Sequence, residues 1–353
     1  MDKQLHFIVG IGRSGTSILS KLLNSYVDVH CLPEANFLVF FLRKYHHKKQ
    51  FTALEIEAIF EEINLYTLSH PMVGWTFDED ATKHACMQLL KASKSITYKE
   101  ICIMIYQNFK VNGLNKDRAT LLIDKNPSYT IFIDKIHSAL PESKFIFIVR
   151  DYRANILSRK QSVYLKSPDV AYNATRWKLY NKEAYAFYKK NGNKVLLIKY
   201  ESLVSNYETE IQRITAFLNL NPVFEPENQA EKEPVNIKDY NISEKFRERF
   251  IKKYSDLNKE LNKERLEVWK EKLTVKEIRL SDAICSGIGK KFGYETNFPT
   301  NTFKSFTLKF SSIVPIIKGY IDIYKDKLIY YAPIGLKLNK LRKRYVKLGF
   351  IEK

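Results

Sequence analysis

Residues Gly10–Ser17, GIGRSGTS, set Gly10 and Gly15 around an arginine and are followed at once by Thr16 and Ser17. A loop of the form GxxxxG between a strand and a helix aims backbone N–H groups and the positive end of the helix dipole at an anion. In nucleotide hydrolases with such a loop, a lysine follows the second glycine to reach the β- and γ-phosphates, and the next Ser or Thr holds Mg²⁺. Here Thr16 stands in the lysine's place and Arg13, inside the loop, supplies the cation. A guanidinium clamps two oxygens of an anion without a metal, so a smaller, metal-free anion is the expected ligand. The alternative is a Gly-rich turn that only lets strand and helix pack closely. The crowding of Arg13, Ser14, Thr16 and Ser17 into one turn argues against it.

A second polar group closes another apolar run. Arg150 follows FIFIV, and Ser158 comes eight residues later, about two turns into the next helix. An arginine at the C-terminal end of a buried strand lies where ligands of open α/β sheets bind. Taken alone, Arg150–Asp151 is equally an ion pair capping a helix. Coupled to the first loop, it gives two anion sites at adjacent strand ends, which suits a nucleotide carrying phosphates at both ends of its ribose. Tyr200 ends a further run, VLLIK, where its ring lies against a base or simply fills a sheet margin. Glu201 is expected to cap or orient that loop.

These groups need elements to hold them. Phe7–Val9, Leu121–Ile123, Phe145–Val149 and Val195–Ile198 are short apolar runs without polar alternation, which suits strands of a parallel sheet covered on both faces. Helical patterns follow the first three directly, making strand, turn, helix units. The chain of 353 residues, 45% hydrophobic, is long enough for one core of about 250–300 residues plus additions. Residues 36–117 are helical in flavour with no comparable strand and read as a cap inserted over the sheet's edge. Residues 221–240, proline-rich and charged, read as a long loop, with amphipathic helices returning from Ile242 to about Lys291.

The cysteines Cys31, Cys86, Cys102 and Cys285 lie far apart, and no His cluster has metal-ligand spacing, which predicts a reducing compartment and no structural metal. A strand-like run begins at Leu5, which predicts no secretory leader, and no apolar stretch approaches the ~20 residues of a spanning helix. The expected location is therefore the cytoplasm. Net charge is +19, and residues 300–353 carry twelve Lys and Arg against three acids. This tail pairs apolar and aromatic residues with cations. It reads either as a peripheral contact with the inner face of a membrane or with a lipid-linked glycan, or as a helical extension with a solvated basic face.

At these residues the chain resembles sulfotransferases that use 3′-phosphoadenosine-5′-phosphosulfate (PAPS), and within them the tyrosylprotein sulfotransferases and their bacterial relatives. FIVGIGRSGTSILSKLLNSYVDVHCLPEA, LLIDKNPSYT, KFIFIVRDYRANILSRK and VLLIKYESLVSNYETEIQRITAFLNL follow in the family's order, and LEVWKEKL to FGYE is similar to its closing helices. The resemblance covers roughly residues 5–295. It implies an α/β fold, a P-loop-like parallel sheet flanked by helices, with the cap at 36–117, a transfer domain over 1–297 and a C-terminal helical extension over 298–353.

The resemblance further implies that Arg13, Ser14, Gly15, Thr16 and Ser17 hold the 5′-phosphosulfate, that Arg150 and Ser158 hold the 3′-phosphate, and that Tyr200 lies near the adenine. Glu34 matches a catalytic base, with a surface carboxylate as its bland alternative. Lys125 matches a lysine that stabilises charge on the leaving phosphate or the transferring group. The implied donor is PAPS, its product is 3′,5′-adenosine bisphosphate (PAP), and no metal is required. The expected acceptor is a carbohydrate hydroxyl, with a phenol or small alcohol second, and no nucleic acid is expected. Two departures stand out: Tyr152 replaces the proline usual after Arg-Asp, and no counterpart of the family's C-terminal cofactor serine can be placed in NQAEKEPVN. Rival readings are a P-loop kinase or NTPase, with Asp124 holding Mg²⁺, and a non-enzymatic polyanion-binding protein.

Overall fold

Each apolar run becomes a strand, and the helix-period segments pack on both faces of the sheet they form. The computed structural model describes residues 3–32, 34–69, 75–111, 119–162, 167–220 and 263–347. The expected 221–240 loop, with all of NQAEKEPVN, and the expected helices from Ile242 as far as residue 262 lie outside them. In chain order the elements are β1 (Gln4–Val9), α1 (Thr16–Leu23), β2 (Val29–Leu32), α2 (Phe37–Tyr45), α3 (Ala53–Ser69), β3 (Trp75–Phe77), α4 (Glu79–Ser93), α5 (Tyr98–Gln107), β4 (Phe109–Val111) and β5 (Leu121–Lys125). There follow α6 (Ile133–Ala139), β6 (Phe145–Val149), α7 (Tyr152–Lys160), α8 (Val170–Lys190), β7 (Val195–Lys199), α9 (Tyr200–Ser205), α10 (Tyr207–Leu218), α11 (Trp269–Lys272) and α12 (Val275–Gly289). The extension forms α13 (Phe303–Ser311), α14 (Ile313–Tyr330) and α15 (Ile334–Lys347).

The main sheet is parallel, in the order β2-β5-β1-β6-β7. Phe7 of β1 sits between Asp124 of β5 and Phe145 of β6, so the first strand is central and the chain winds outward to either side of it. Alternate residues face opposite layers. Phe7, Val9, Phe145 and Phe147 join the large core under α2, α3, α5 and α8, while Ile8, Ile146 and Ile148 join the smaller one under α1, α9 and α10. Because all five strands run the same way, every C-terminal end lies on one edge of the sheet. The loop from Gly10, Glu34, Lys125, Arg150 and Tyr200 each follow or close a different strand there.

Two features differ from the sequence expectation. β2 is a fifth strand, too short and too interrupted by His30 to stand out as an apolar run, yet all four of its residues are buried. The 36–117 segment also contains strands: β3 and β4 pair antiparallel, Phe77 opposite Phe109, and tie off the segment that holds α4 and α5. The extension packs on the body, with α14 against α8 and α15 against α3.

Candidate active site

The loop after β1 is shaped by its neighbours. Gly10 has φ +144°, and a Cβ there would meet the Ile148 carbonyl oxygen at 2.4 Å. Gly15 has φ +97°, and a Cβ there would meet the Tyr200 ring at 2.4 Å. Between them Arg13 itself is left-handed, φ +75°, a conformation costing a non-glycine residue on the order of 1–2 kcal/mol. The surroundings hold it there. Thr130 Oγ1 accepts from the Gly10 N–H at 2.8 Å, and the Gly12 carbonyl accepts from Asn155 Nδ2 at 3.2 Å and Arg159 Nη1 at 3.3 Å. Ser14 is fully buried, its hydroxyl accepting from Asn155 Nδ2 at 3.1 Å. Its side chain thus braces the loop, and toward an anion Ser14 offers its backbone. α1 begins at Thr16 with Gly15 as N-cap and no side chain capping it, which leaves first-turn N–H groups without an intrahelical acceptor.

The second motif meets the first. Arg13 Nε donates to Ser158 Oγ at 3.1 Å, and Arg150 Nη1 reaches the Arg13 carbonyl at 3.4 Å. The Arg150–Asp151 ambiguity resolves into two separate jobs. Asp151 caps α7 through the Arg153 N–H and pairs with the Arg153 guanidinium at 2.6 Å. Arg150 instead lies over the Tyr200 ring, 4.4 Å from its centroid, with Nη2 on the Arg265 carbonyl at 3.2 Å. Its buried Nε has no hydrogen-bond partner among the described residues. Glu201 accepts from the Asp151 N–H at 2.9 Å and from the Tyr294 hydroxyl at 2.8 Å, so it does orient the turn. Tyr200 is buried between Gly15 and Arg150.

Buried guanidiniums gather behind the loop. Burial pushes the Arg150 guanidinium below its ordinary value despite nearby Tyr200 and Glu201. Burial, then Arg176, with Arg13 contributing less, pushes Arg159 down to about 10. Cations taken out of water in this way gain most from an anion placed among them.

A second centre lies at the ends of β2 and β5. Lys125 Nζ donates to Glu34 Oε1 at 2.9 Å, the lysine side chain 6% exposed and the glutamate 44%. Residues 34–36 are clipped to the strand-end turn: Tyr129 OH donates to the Ala35 carbonyl at 2.7 Å, and Asn126 Nδ2 and Ser128 Oγ reach Asn36 Oδ1 at 2.9 and 2.8 Å. Asp124, the acid that a nucleotide hydrolase would turn to Mg²⁺, is fully buried and accepts from Tyr106 OH at 2.5 Å. Burial pushes its carboxyl well above the usual range, against the pull of Tyr106 and Lys125.

Sequence reasoning missed the braces. Asn155 and Arg159 share a helix face with Ser158 and Asp151, so the 3.6 period could have found them. Thr130, Asn36 and Ser128 carried no signal. Tyr345, on α15, was also missed: burial raises its phenol above the ordinary value, Arg344 opposes, and the charge of Glu34 adds to the rise. The extension thus reaches the neighbourhood of the Lys125–Glu34 pair.

Comparison with known proteins gives the family of the chain. A model described as the sulfotransferase family matches residues 6–226, more than half of the chain. A Caenorhabditis briggsae protein named as a candidate protein-tyrosine sulfotransferase is 25% identical over 225 residues, 62% of this chain and 66% of its own. The nodulation protein NoeE of Sinorhizobium fredii (strain NBRC 101917 / NGR234) is 24% identical over 313 residues, 82% of this chain and 65% of its own. The chain therefore spans just under two thirds of the length of these curated relatives. A solved sulfotransferase domain from the curacin biosynthetic pathway shares the fold, with a TM-score of 0.51 at 19% identity, over 84% of this chain and 99% of that one. With the parallel five-stranded sheet, its strand-end site and a family match across most of both, the chain belongs to the sulfotransferase family.

Proposed function

We propose that the chain moves a sulfuryl group from PAPS to an acceptor hydroxyl and releases PAP. The observation that carries this is the meeting of Arg13, Ser158 and Arg150 beside the uncapped start of α1. The donor set fits such a nucleotide: two guanidiniums at adjacent strand ends, a buried Arg150 Nε without a hydrogen-bond partner among the described residues, and an open helix start suit two separate anionic groups. Arg13, the backbone N–H groups of Ser14 and Gly15, and Thr16 and Ser17 would hold the 5′-phosphosulfate. Arg150 and Ser158 would hold the 3′-phosphate. Tyr200 would serve the adenine side, both directly and by fixing Arg150 and Gly15.

When bound, PAPS supplies a sulfuryl group already activated as a mixed anhydride. Glu34 takes the proton of the acceptor hydroxyl, and its ion pair with Lys125 orients the carboxylate while leaving acceptor capacity on it. Lys125 and Arg13 place positive charge where the leaving phosphate gains negative charge, with no reorganisation needed at that moment. Residues 1–297 make up the transfer unit, with 36–117 as its cap. The four cysteines, all buried and with no disulfide among the described residues, support a cytoplasmic setting.

The acceptor is proposed to be a carbohydrate hydroxyl, on a cell-surface or lipid-linked glycan. Asn36 and Ser128, half-buried in the turn beside Glu34, bring an amide and a hydroxyl of the kind that bind sugars. A phenol is the second reading, favoured by the name of the C. briggsae relative. The donor is tested by thermal shift: PAP without metal is expected to raise the melting temperature and ATP with Mg²⁺ to leave it unchanged. The opposite pattern favours the kinase rival, and no response to either, with steep salt dependence of polyanion binding, favours the non-enzymatic one. Labelled PAPS offered with sugar and phenol panels then identifies the acceptor.

A further inference from the structure

The extension leaves a continuous apolar strip uncovered. Along α14, Val314, Ile317, Ile321, Tyr324 and Leu328 recur at spacings of three and four and are all exposed, Val314 at 74% and Leu328 at 68%. The opposite side of the helix is the packed one: a Cβ on Gly319 would lie 3.0 Å from Thr175 of α8, and Ile323 and Tyr330 are buried. Phe303, Phe306 and Phe310 of the preceding helix, α13, are exposed as well. Singly scattered apolar side chains are ordinary on a surface, but a strip of this length marks an interaction site.

The exposed charges among the described residues of the extension have one sign. Lys304, Lys318 and Lys325 on α13 and α14 are exposed, as are Arg342, Lys343 and Arg344 on α15. The acids among the described residues of the extension, Asp322 and Asp326, are not, and Asp322 accepts from Tyr172 OH at 2.7 Å. Three-four spacing would also suit the helix of a second copy. Pairing two copies along this strip, however, would bring their flanking lysines together with no exposed acid among the described residues of α13 and α14 to answer them. An anionic lipid surface matches both features, since apolar side chains enter the headgroup boundary while lysines meet phosphates. No helix among the described residues is long and apolar enough to cross a membrane, so the contact lies along the surface. The strip is also held rigidly: Arg43 donates to the Tyr331 carbonyl, Lys337 Nζ to the Phe40 carbonyl at 2.8 Å, and Lys327 pairs with Glu183 at 2.7 Å.

We propose that α13 and α14 form a docking face for an anionic membrane, with the apolar strip in the headgroup boundary and the lysine and arginine rim on the lipid phosphates. The test is flotation of the full chain with phosphatidylcholine vesicles, with and without phosphatidylglycerol, in the absence of PAPS and acceptor, so its outcome is independent of the transfer chemistry. The chain is expected to float with the anionic vesicles only. Phe306→Ser, Val314→Ser and Leu328→Ser combined, all at exposed positions, are expected to keep the melting temperature and cut recovery at least tenfold. Lys318→Glu with Lys325→Glu is expected to remove the preference for phosphatidylglycerol. A full chain that stays at the bottom with anionic vesicles, or a triple-serine variant that floats as well as the unaltered chain, overturns the proposal. So does a dimer that those serines convert to monomer without any flotation, which would assign the strip to a second copy.

Discussion

Replacing Glu34 by glutamine separates a catalytic base from an ion-pair partner. The change keeps the shape and a carbonyl oxygen for Lys125 Nζ, now 2.9 Å from Glu34 Oε1, but removes the basic carboxylate. A positioned general base contributes about 10²–10⁴-fold, or roughly 3–5 kcal/mol of barrier. The ion pair contributes far less to folding, because the glutamate side chain is 44% exposed and water screens that end of the pair; about 1 kcal/mol or less is expected. A melting-temperature drop of no more than about 3 °C follows. PAP affinity is expected to be unchanged or tighter, since a negative charge is removed beside an anion site. The assay is single-turnover transfer of labelled sulfate to an acceptor found in the sugar and phenol panels, with PAP titration calorimetry on the same samples. The variant is expected to lose at least 100-fold in transfer and the carboxylate limb of the pH–rate profile. Transfer within tenfold of the unaltered protein would refute the base, and parallel loss of PAP binding would make Glu34 a structural residue of the pocket.

Four further outcomes are expected. Arg150→Met is expected to weaken PAP by roughly 3 kcal/mol, on the order of 100-fold, with little change in unfolding. Arg153→Met, which breaks the buried pair with Asp151, is expected to cost about 3–5 kcal/mol of stability and little affinity, and urea melts with PAP titrations distinguish the two. Asn155→Leu leaves the buried Ser14 hydroxyl without this donor and is expected to raise the PAP Kd roughly tenfold by loosening the loop, while Gly12 keeps its bond from Arg159; an unchanged Kd would remove Asn155 from the loop's support. His6 is buried, and burial pushes its pKa down to about 4 from 6.5, so the folded state resists protonation. Stability is full above the unfolded value and is lost as pH falls toward the folded one, by about 2 kcal/mol at pH 5, and urea melts of His6→Gln should lack this part of the acid sensitivity.

The sequence by itself determined the chemistry of separate pieces. The two glycines and Arg13 announced an anion loop because few other arrangements of backbone need them, and unbroken apolar runs announced strands covered on both faces. It could not determine which pieces meet. Arg13 bonds to Ser158, and Lys125 to Glu34, because parallel pairing brings five strand ends to one edge, and that follows from the strand order rather than from any local pattern. β2 was illegible for the same reason: a four-residue strand is stabilised by pairing with β5 and by the cores on either side, not by its own propensity. The division of labour between Arg150 and Asp151 likewise depended on Tyr200 and Glu201 arriving from elsewhere in the fold. In the tail the mixture of apolar residues and cations was legible from composition. Only packing decided that one face of α14 lies on α8 and that the opposite face, with its lysine rim, is left to meet something else.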